Sequence, residues 1–200
     1  MLIGIDNGVS GGICALSNSG QIVDMAALGL RTPPERVDPQ SGNDTRREGS
    51  SALQGNLGPS TRQIDPHWLV WWIKDVTQDK PCPIIVEECP EHSQSKSSMR
   101  SMGISFGLIT GAILSKLPDY PLHTVRSGNP RDSWQKQLGV YEGGRTKELA
   151  LELANELWPD EAWILTPRAR NPHSGVVDAA LMAYYLHKNG GNDAAEGRNP

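Results

Sequence analysis

MLIGIDNGVSGGICALSNSGQIVDMAAL, residues 1–28, carries the reading that decides the fold. Ile3 and Ile5 alternate up to Asp6, the period of a short strand with one face in a core. Asn7 to Gly12 (NGVSGG) is a Gly-rich turn. Residues 13–28 then give two further short strands around Asn18-Ser19-Gly20. The chain therefore opens as an antiparallel meander whose first strand ends in an acid.

A second apolar strand repeats that ending. PCPIIVEE (81–88) runs through Ile84, Ile85 and Val86 into Glu87 and Glu88, and we read it as the central strand. PLHTVRS (121–127) is a further strand. If the strands ending at Asp6 and Glu87 are parallel neighbours, both acids open at one edge of the sheet, where α/β folds place their sites.

The helices follow from caps and periodicity. Asp65 is a suitable N-cap and Pro66 a suitable first residue, with Trp68, Leu69, Trp72, Ile73 and Val76 on one face. SSMRSMGISFGLITGAIL (97–114) spaces Met99, Met102, Phe106, Ile109 and Ile113 as a helix. Gly103, Gly107 and Gly111 form a smooth ridge within it, at a cost of about 1 kcal/mol per glycine. That ridge is expected to pack on the sheet. TKELALELANELWP (146–159) is an amphipathic helix with Leu149, Leu153 and Leu157 in register. A final helix runs from about Gly175 to Lys188.

A single α/β domain over residues 1–188 follows, with a mixed sheet, an antiparallel N-terminal meander and flanking helices. Residues 31–63, rich in Pro, Gly and Ser, read as a flexible insertion. Residues 189–200 read as a disordered tail. No apolar run approaches the roughly 20 residues of a membrane span, and no secretory signal is expected at the start. Cys14, Cys82 and Cys89 form no CxxC pair, which favours a reducing compartment. The net charge of −4 does not mark a nucleic-acid binder, so any contact with DNA must come from a local patch.

Asp178 is the third notable acid. It shares a helical stripe with Leu181, Met182 and Tyr185, the side that packs. A buried carboxylate is costly unless it is paired or binds a cation, and clustered carboxylates repel. A divalent metal removes both objections, and oxygen-only ligands suit Mg²⁺ or Mn²⁺. On the residues alone, Asp6, Glu87 and Asp178 are either one metal site or three separate structural acids.

With IGIDNGVSGGICAL, VEECPEHSQSKSSMRSMGISFG, SWQKQLG, KELALELANELWP and PRARNPHSGVVDAALMA in this order, the chain resembles the RuvC-like Holliday junction resolvases. These belong to the ribonuclease H-like superfamily, and the likeness is to the forms carried by phages. It covers most of the chain outside residues 31–63 and the tail. The resemblance implies a ribonuclease H-like fold and a homodimeric endodeoxyribonuclease that cuts four-way or branched DNA. It implies two Mg²⁺ or Mn²⁺ ions on Asp6, Glu87 and Asp178, and a cytoplasmic setting in a bacterial or phage-infected cell. Glu88 is then the neighbour that faces solvent or supports the site.

The chain departs from that pattern at HSG (173–175), where relatives often read His-Asp-Gly. Ser174 stands in the place of a fourth acid and is expected to be the N-cap of the last helix. His173 is a candidate for ligating the metal or positioning water. Lys96, Arg100, Arg168 and Arg170 flank the acids and are the candidate DNA contacts, with Arg126, Arg131 and Lys136 extending the track. Two other readings stand beside this one. Loss of the acid suits a junction binder that does not cut. GIDNGVSGGICAL also resembles the first phosphate loop of the actin-like and sugar-kinase ATP binders, which need a second lobe and a second such loop.

Overall fold

A computed structural model describes residues 1–8, 10–28, 64–89, 96–128, 130–167 and 169–190. The expected insertion at 31–63 lies outside these residues, as does the expected tail beyond residue 190. The elements, in chain order, are β1 (Leu2–Ile5), β2 (Gly12–Leu16), β3 (Ile22–Ala27), α1 (Pro66–Thr77), β4 (Ile84–Glu87), α2 (Lys96–Lys116), β5 (Leu122–Val125), α3 (Trp134–Gln137), α4 (Thr146–Leu157) and α5 (Ser174–Lys188).

The five strands form one sheet in the order β3-β2-β1-β4-β5. The meander β1-β2-β3 is antiparallel, whereas β1–β4 and β4–β5 are parallel. The fold is thus a mixed α/β sheet flanked by helices. One expectation is corrected: β1 occupies the centre and β4 lies beside it. The meander adds two strands on one side of β1, and that count decides the centre.

Pleating sorts side chains onto two faces. Ile3, Ile5, Ile13, Ile84 and Val86 pack against Trp68, Leu69, Trp72 and Ile73 of α1 and Ile109 and Ile113 of α2. Leu2, Cys14, Leu16, Ile85 and Val125 pack against α4 and α5. By the same alternation, Gly4 on β1 and Asp6 just beyond it, and Ile85 and Glu87 on β4, face α5.

Glycine lets α5 press directly on that face. A Cβ at Gly4 would overlap the carbonyl of Ala179, and one at Gly12 would lie 2.6 Å from the Gly175 backbone. Gly11 and Gly175 pair as an isolated parallel bridge. The first turn of α5 is therefore held close to the turn after β1, next to Asp6.

The glycine ridge of α2 is a second correction. Gly103, Gly107 and Gly111 are exposed, and a Cβ on any of them would meet nothing within 4 Å. The helix buries Ser105, Ile109 and Ile113 on the other side. In α4 the buried residues are Ala150 and Ala154, with Leu149, Leu153 and Leu157 only half-buried against the core. Small side chains let that helix lie close to α5.

The α1 start is as the sequence indicates: Asp65 Oδ1 accepts from the N–H groups of His67 (2.9 Å) and Trp68 (3.3 Å), with Pro66 first in the helix. No helix among the described residues is long and apolar enough to cross a membrane. The described residues form one sheet rather than two lobes.

Candidate functional site

Asp6 is the first residue after β1. Its N–H donates to Gly12 O at 2.9 Å, and its Oδ1 accepts from Gly8 N–H at 2.8 Å, so the turn that follows orients the carboxylate. Its Oδ2 faces the first turn of α5, 2.8 Å from where a Gly175 Cβ would stand. Glu87 is the last residue of β4. Both are buried, at 7% and 8% exposure, which is rare for acids without partners.

The two carboxyls act on each other, and Ser127, just beyond β5, stands near enough to favour the charged form of Glu87. Asp178 lies three residues along α5 from Gly175, half-buried, close enough that its charge acts on Glu87 and that of Asp6 acts on it. The structure thus brings the three acids to one face of the sheet.

Electrostatics follows from this crowding. Burial, then the Asp6 charge, pushes Glu87 up to about 8. Burial, then Asp6 again, pushes Asp178 up to about 7. Asp6 is raised by burial, against the opposing pull of the Gly8 N–H, the Glu87 hydrogen bond, His173 and Lys147. Near neutral pH the cluster therefore holds protons that ordinary surface carboxylates have lost.

The donor chemistry fits a hard divalent cation: oxygen ligands, buried, with more negative charge than the site tolerates alone. The spacing is a different matter. Among the described residues no three His, Cys, Asp or Glu side chains are disposed as a ready cation cage. The arrangement is that of two buried, crowded carboxyls with a third acid beside them. An ion would have to displace the protons that burial and crowding favour.

Glu88 points to the opposite face of the pleat. Its carboxylate accepts from Thr124 Oγ1 (2.9 Å) and pairs with Arg126 Nε (3.3 Å), an exposed ion pair worth at most about 1 kcal/mol. Arg126 is thus committed to Glu88.

The N-cap of α5 is His173, which corrects the expectation for Ser174. His173 Nδ1 accepts from Val176 N–H at 3.3 Å, and Ser174 is the first helical residue. An unprotonated imidazole nitrogen can serve as a cap in the same way as a hydroxyl oxygen. His173 N–H donates to Trp163 O at 2.8 Å. Trp163 is buried with φ of 53°, a left-handed backbone costing a bulky residue of order 1–2 kcal/mol. Its indole, edge-on to Trp158 and hydrogen-bonded to Asn155 Oδ1, holds it there. With Nδ1 occupied, His173 presents Nε2.

Of the expected DNA contacts, Lys96, Arg100 and Arg170 are exposed, and Arg168 lies outside the described residues. Arg131 is exposed, while Lys136 lies over the Tyr141 ring at 5.4 Å. Sequence reading missed three residues. Lys147, at the start of α4, acts electrostatically on Asp6 and Asp178. Ser127 acts on the Glu87 carboxyl, and Asn7 binds its backbone. Only the position of Ser127 and Asn7 at strand ends could have signalled them.

Two clefts, of about 560 and 370 Å³, run along α1 and α2, lined in part by His67, Val70, Trp71, Gly107 and Gly111. They lie on the face of the sheet opposite the acids.

No protein-family model and no curated protein sequence matches the chain. The solved structures that resemble it in three dimensions include two of RuvC. Thermus thermophilus RuvC in complex with a Holliday junction substrate is 16% identical, with a TM-score of 0.51, over 94% of this chain and 96% of that one. A second T. thermophilus RuvC structure is 15% identical, with a TM-score of 0.50 and the same coverage. At these identities the likeness is one of fold: a RuvC-like, ribonuclease H-like α/β architecture.

Proposed function

We propose that the chain is a metal-dependent endodeoxyribonuclease that hydrolyses phosphodiester bonds in four-way DNA junctions, of the kind that phages carry. The observation that carries this reading is the meeting of Asp6, Glu87 and Asp178 on the α5 face of the sheet. The RuvC-like fold, seen in one neighbour with a Holliday junction substrate, supports the choice of DNA.

Asp6, Glu87 and Asp178 would hold one or two Mg²⁺ or Mn²⁺ ions. Such ions supply an activated water and stabilise the leaving oxygen of a phosphodiester. The chain's own residues do the rest. Gly8 N–H and Ser127 orient the carboxylates, and the raised affinity of Glu87 and Asp178 for protons means that ion binding releases protons. His173, held by its Nδ1 cap at the start of α5, would use Nε2 to place a water or a phosphate oxygen. Lys147 offsets the acids' charge. Lys96, Arg100, Arg168 and Arg170 meet phosphates, which position DNA without reading its sequence.

A four-way junction has two equivalent strands to cut and one chain has one acidic cluster. A homodimer with two-fold symmetry matches that need. The setting is the cytoplasm of a bacterial or phage-infected cell.

A second reading, a junction binder that does not cut, is favoured by two observations: Ser174 in place of an acid, and spacing of the acids short of a cation cage. Incubating the protein with a mobile four-way junction and with linear duplex, in Mg²⁺, Mn²⁺ or EDTA, separates the two. Paired nicks in the junction alone, dependent on metal, support the nuclease. Tight junction binding without nicks in either metal supports the binder.

A further inference from the structure

The β1–β4 ladder ends in a side chain. Ile3 N–H donates to Pro83 O at 3.0 Å, and the pairs Ile3–Ile84, Gly4–Ile85 and Ile5–Val86 run in register. Donors on one strand of a parallel ladder recur every second residue. The series that begins at Ile3 and Pro83 therefore reaches residue 7 and the carbonyl of Glu87. There the backbone is already turning, with Gly8 N–H bound to Asp6 Oδ1. The side chain of Asn7 supplies the donor, Nδ2 to Glu87 O at 2.7 Å.

Asn7 is fully buried, and its Oδ1 has no hydrogen-bond partner among the described residues. Buried amides normally use both ends. What this one holds is the link between the two residues that carry the strand-end acids: Asn7 is bonded to Asp6, and the carbonyl it grips belongs to Glu87.

We propose that Asn7 is a positioning residue of the acidic site, pinning the Glu87 backbone to the end of β1 so that the Asp6 and Glu87 carboxyls can share an ion. The inference rests on the reading of Asp6, Glu87 and Asp178 as metal ligands. It makes Asn7 a determinant of metal affinity while leaving DNA affinity alone, since Asn7 presents no surface to DNA.

The test uses the full chain with Asn7→Ala and with Asn7→Leu, which removes the donor but keeps the volume filled. Two quantities are read: the Mn²⁺ concentration giving half of the metal-induced rise in melting temperature, and junction affinity in EDTA. Each variant should need at least tenfold more Mn²⁺, with junction affinity within twofold of wild type. A wild-type Mn²⁺ response in either folded variant overturns the proposal. So does loss of junction binding in both, which makes Asn7 a structural residue only. Asp6→Asn, run alongside, separates the premises. If it keeps the wild-type metal response, the metal-site reading falls; if only the Asn7 variants keep it, this inference alone falls.

Discussion

Asp6 and Glu87 are buried side by side at the ends of two neighbouring parallel strands, each carboxyl acting on the other. Two acids so placed cannot both ionise cheaply, and the consequences reach from stability to metal binding.

Stability of the metal-free protein should fall as pH rises. Glu87 goes from 4.5 to about 8 and Asp178 from 3.8 to about 7, so the folded chain holds protons that the unfolded chain releases. That contribution is complete below about pH 4 and is lost as pH passes through 7 to 8. In EDTA the melting temperature should drop between pH 5 and 8. Glu87→Gln should flatten the drop and raise the pH 8 midpoint by a few degrees, about 1 kcal/mol being worth roughly 2–4 °C in a chain of this size. A flat profile for wild type would contradict the crowding.

A glycine pressed between sheet and helix and one on an exposed helix face should respond oppositely. Gly4→Ala puts a methyl into the Ala179 carbonyl and should cost about 3 kcal/mol or more, since backbone rather than a flexible side chain must move. Gly107→Ala meets nothing within 4 Å and should add up to about 1 kcal/mol of helix stability. Urea denaturation of both checks the pair. A destabilised Gly107→Ala would mean that the exposed ridge is covered in solution.

Much of this arrangement was legible in the sequence. Alternation fixed which way Ile3, Ile5, Asp6 and Glu87 point, and Asp65-Pro66 marked the start of α1. The rest depends on contacts between distant segments. A glycine stripe has no side chain to show its direction, so the ridge on α2 read as buried when it is exposed. The cap of α5 read as Ser174 because hydroxyls are the commoner caps. The loop held by Trp163, visible only in three dimensions, delivers His173 instead. Strand order and the pull of Lys147 have no local signal.

His173 and Ser174 should divide between stability and metal affinity. His173→Ala removes the cap, a loss of about 1 kcal/mol, and should also slow junction cleavage. His173→Asn can still cap, so a rate loss that persists with stability restored would locate the effect in Nε2. Ser174→Asp adds an acid at the first turn of α5 and should lower the Mg²⁺ concentration for half-maximal cleavage several-fold. No change in that concentration would place residue 174 outside the site.

DNA affinity should depend steeply on salt despite the negative total charge. Removing Lys96, Arg100 and Arg170 together should reduce the slope of log affinity against log salt by about 3 if each meets one phosphate. Fluorescence anisotropy with a labelled junction at 50–200 mM salt reads this, and an unchanged slope would remove the patch from the interface.

The central claim is that three carboxylates act as one metal-dependent cutting site. Its most direct measurement is the rate of nicking of a mobile four-way junction in Mn²⁺ by wild type, Asp6→Asn, Glu87→Gln and Asp178→Asn, with junction binding checked in Ca²⁺. The account predicts that every single variant binds the junction like wild type and cuts at least about a thousandfold more slowly, a loss of about 4 kcal/mol in transition-state stabilisation. Wild-type cutting by any one of the three would contradict it.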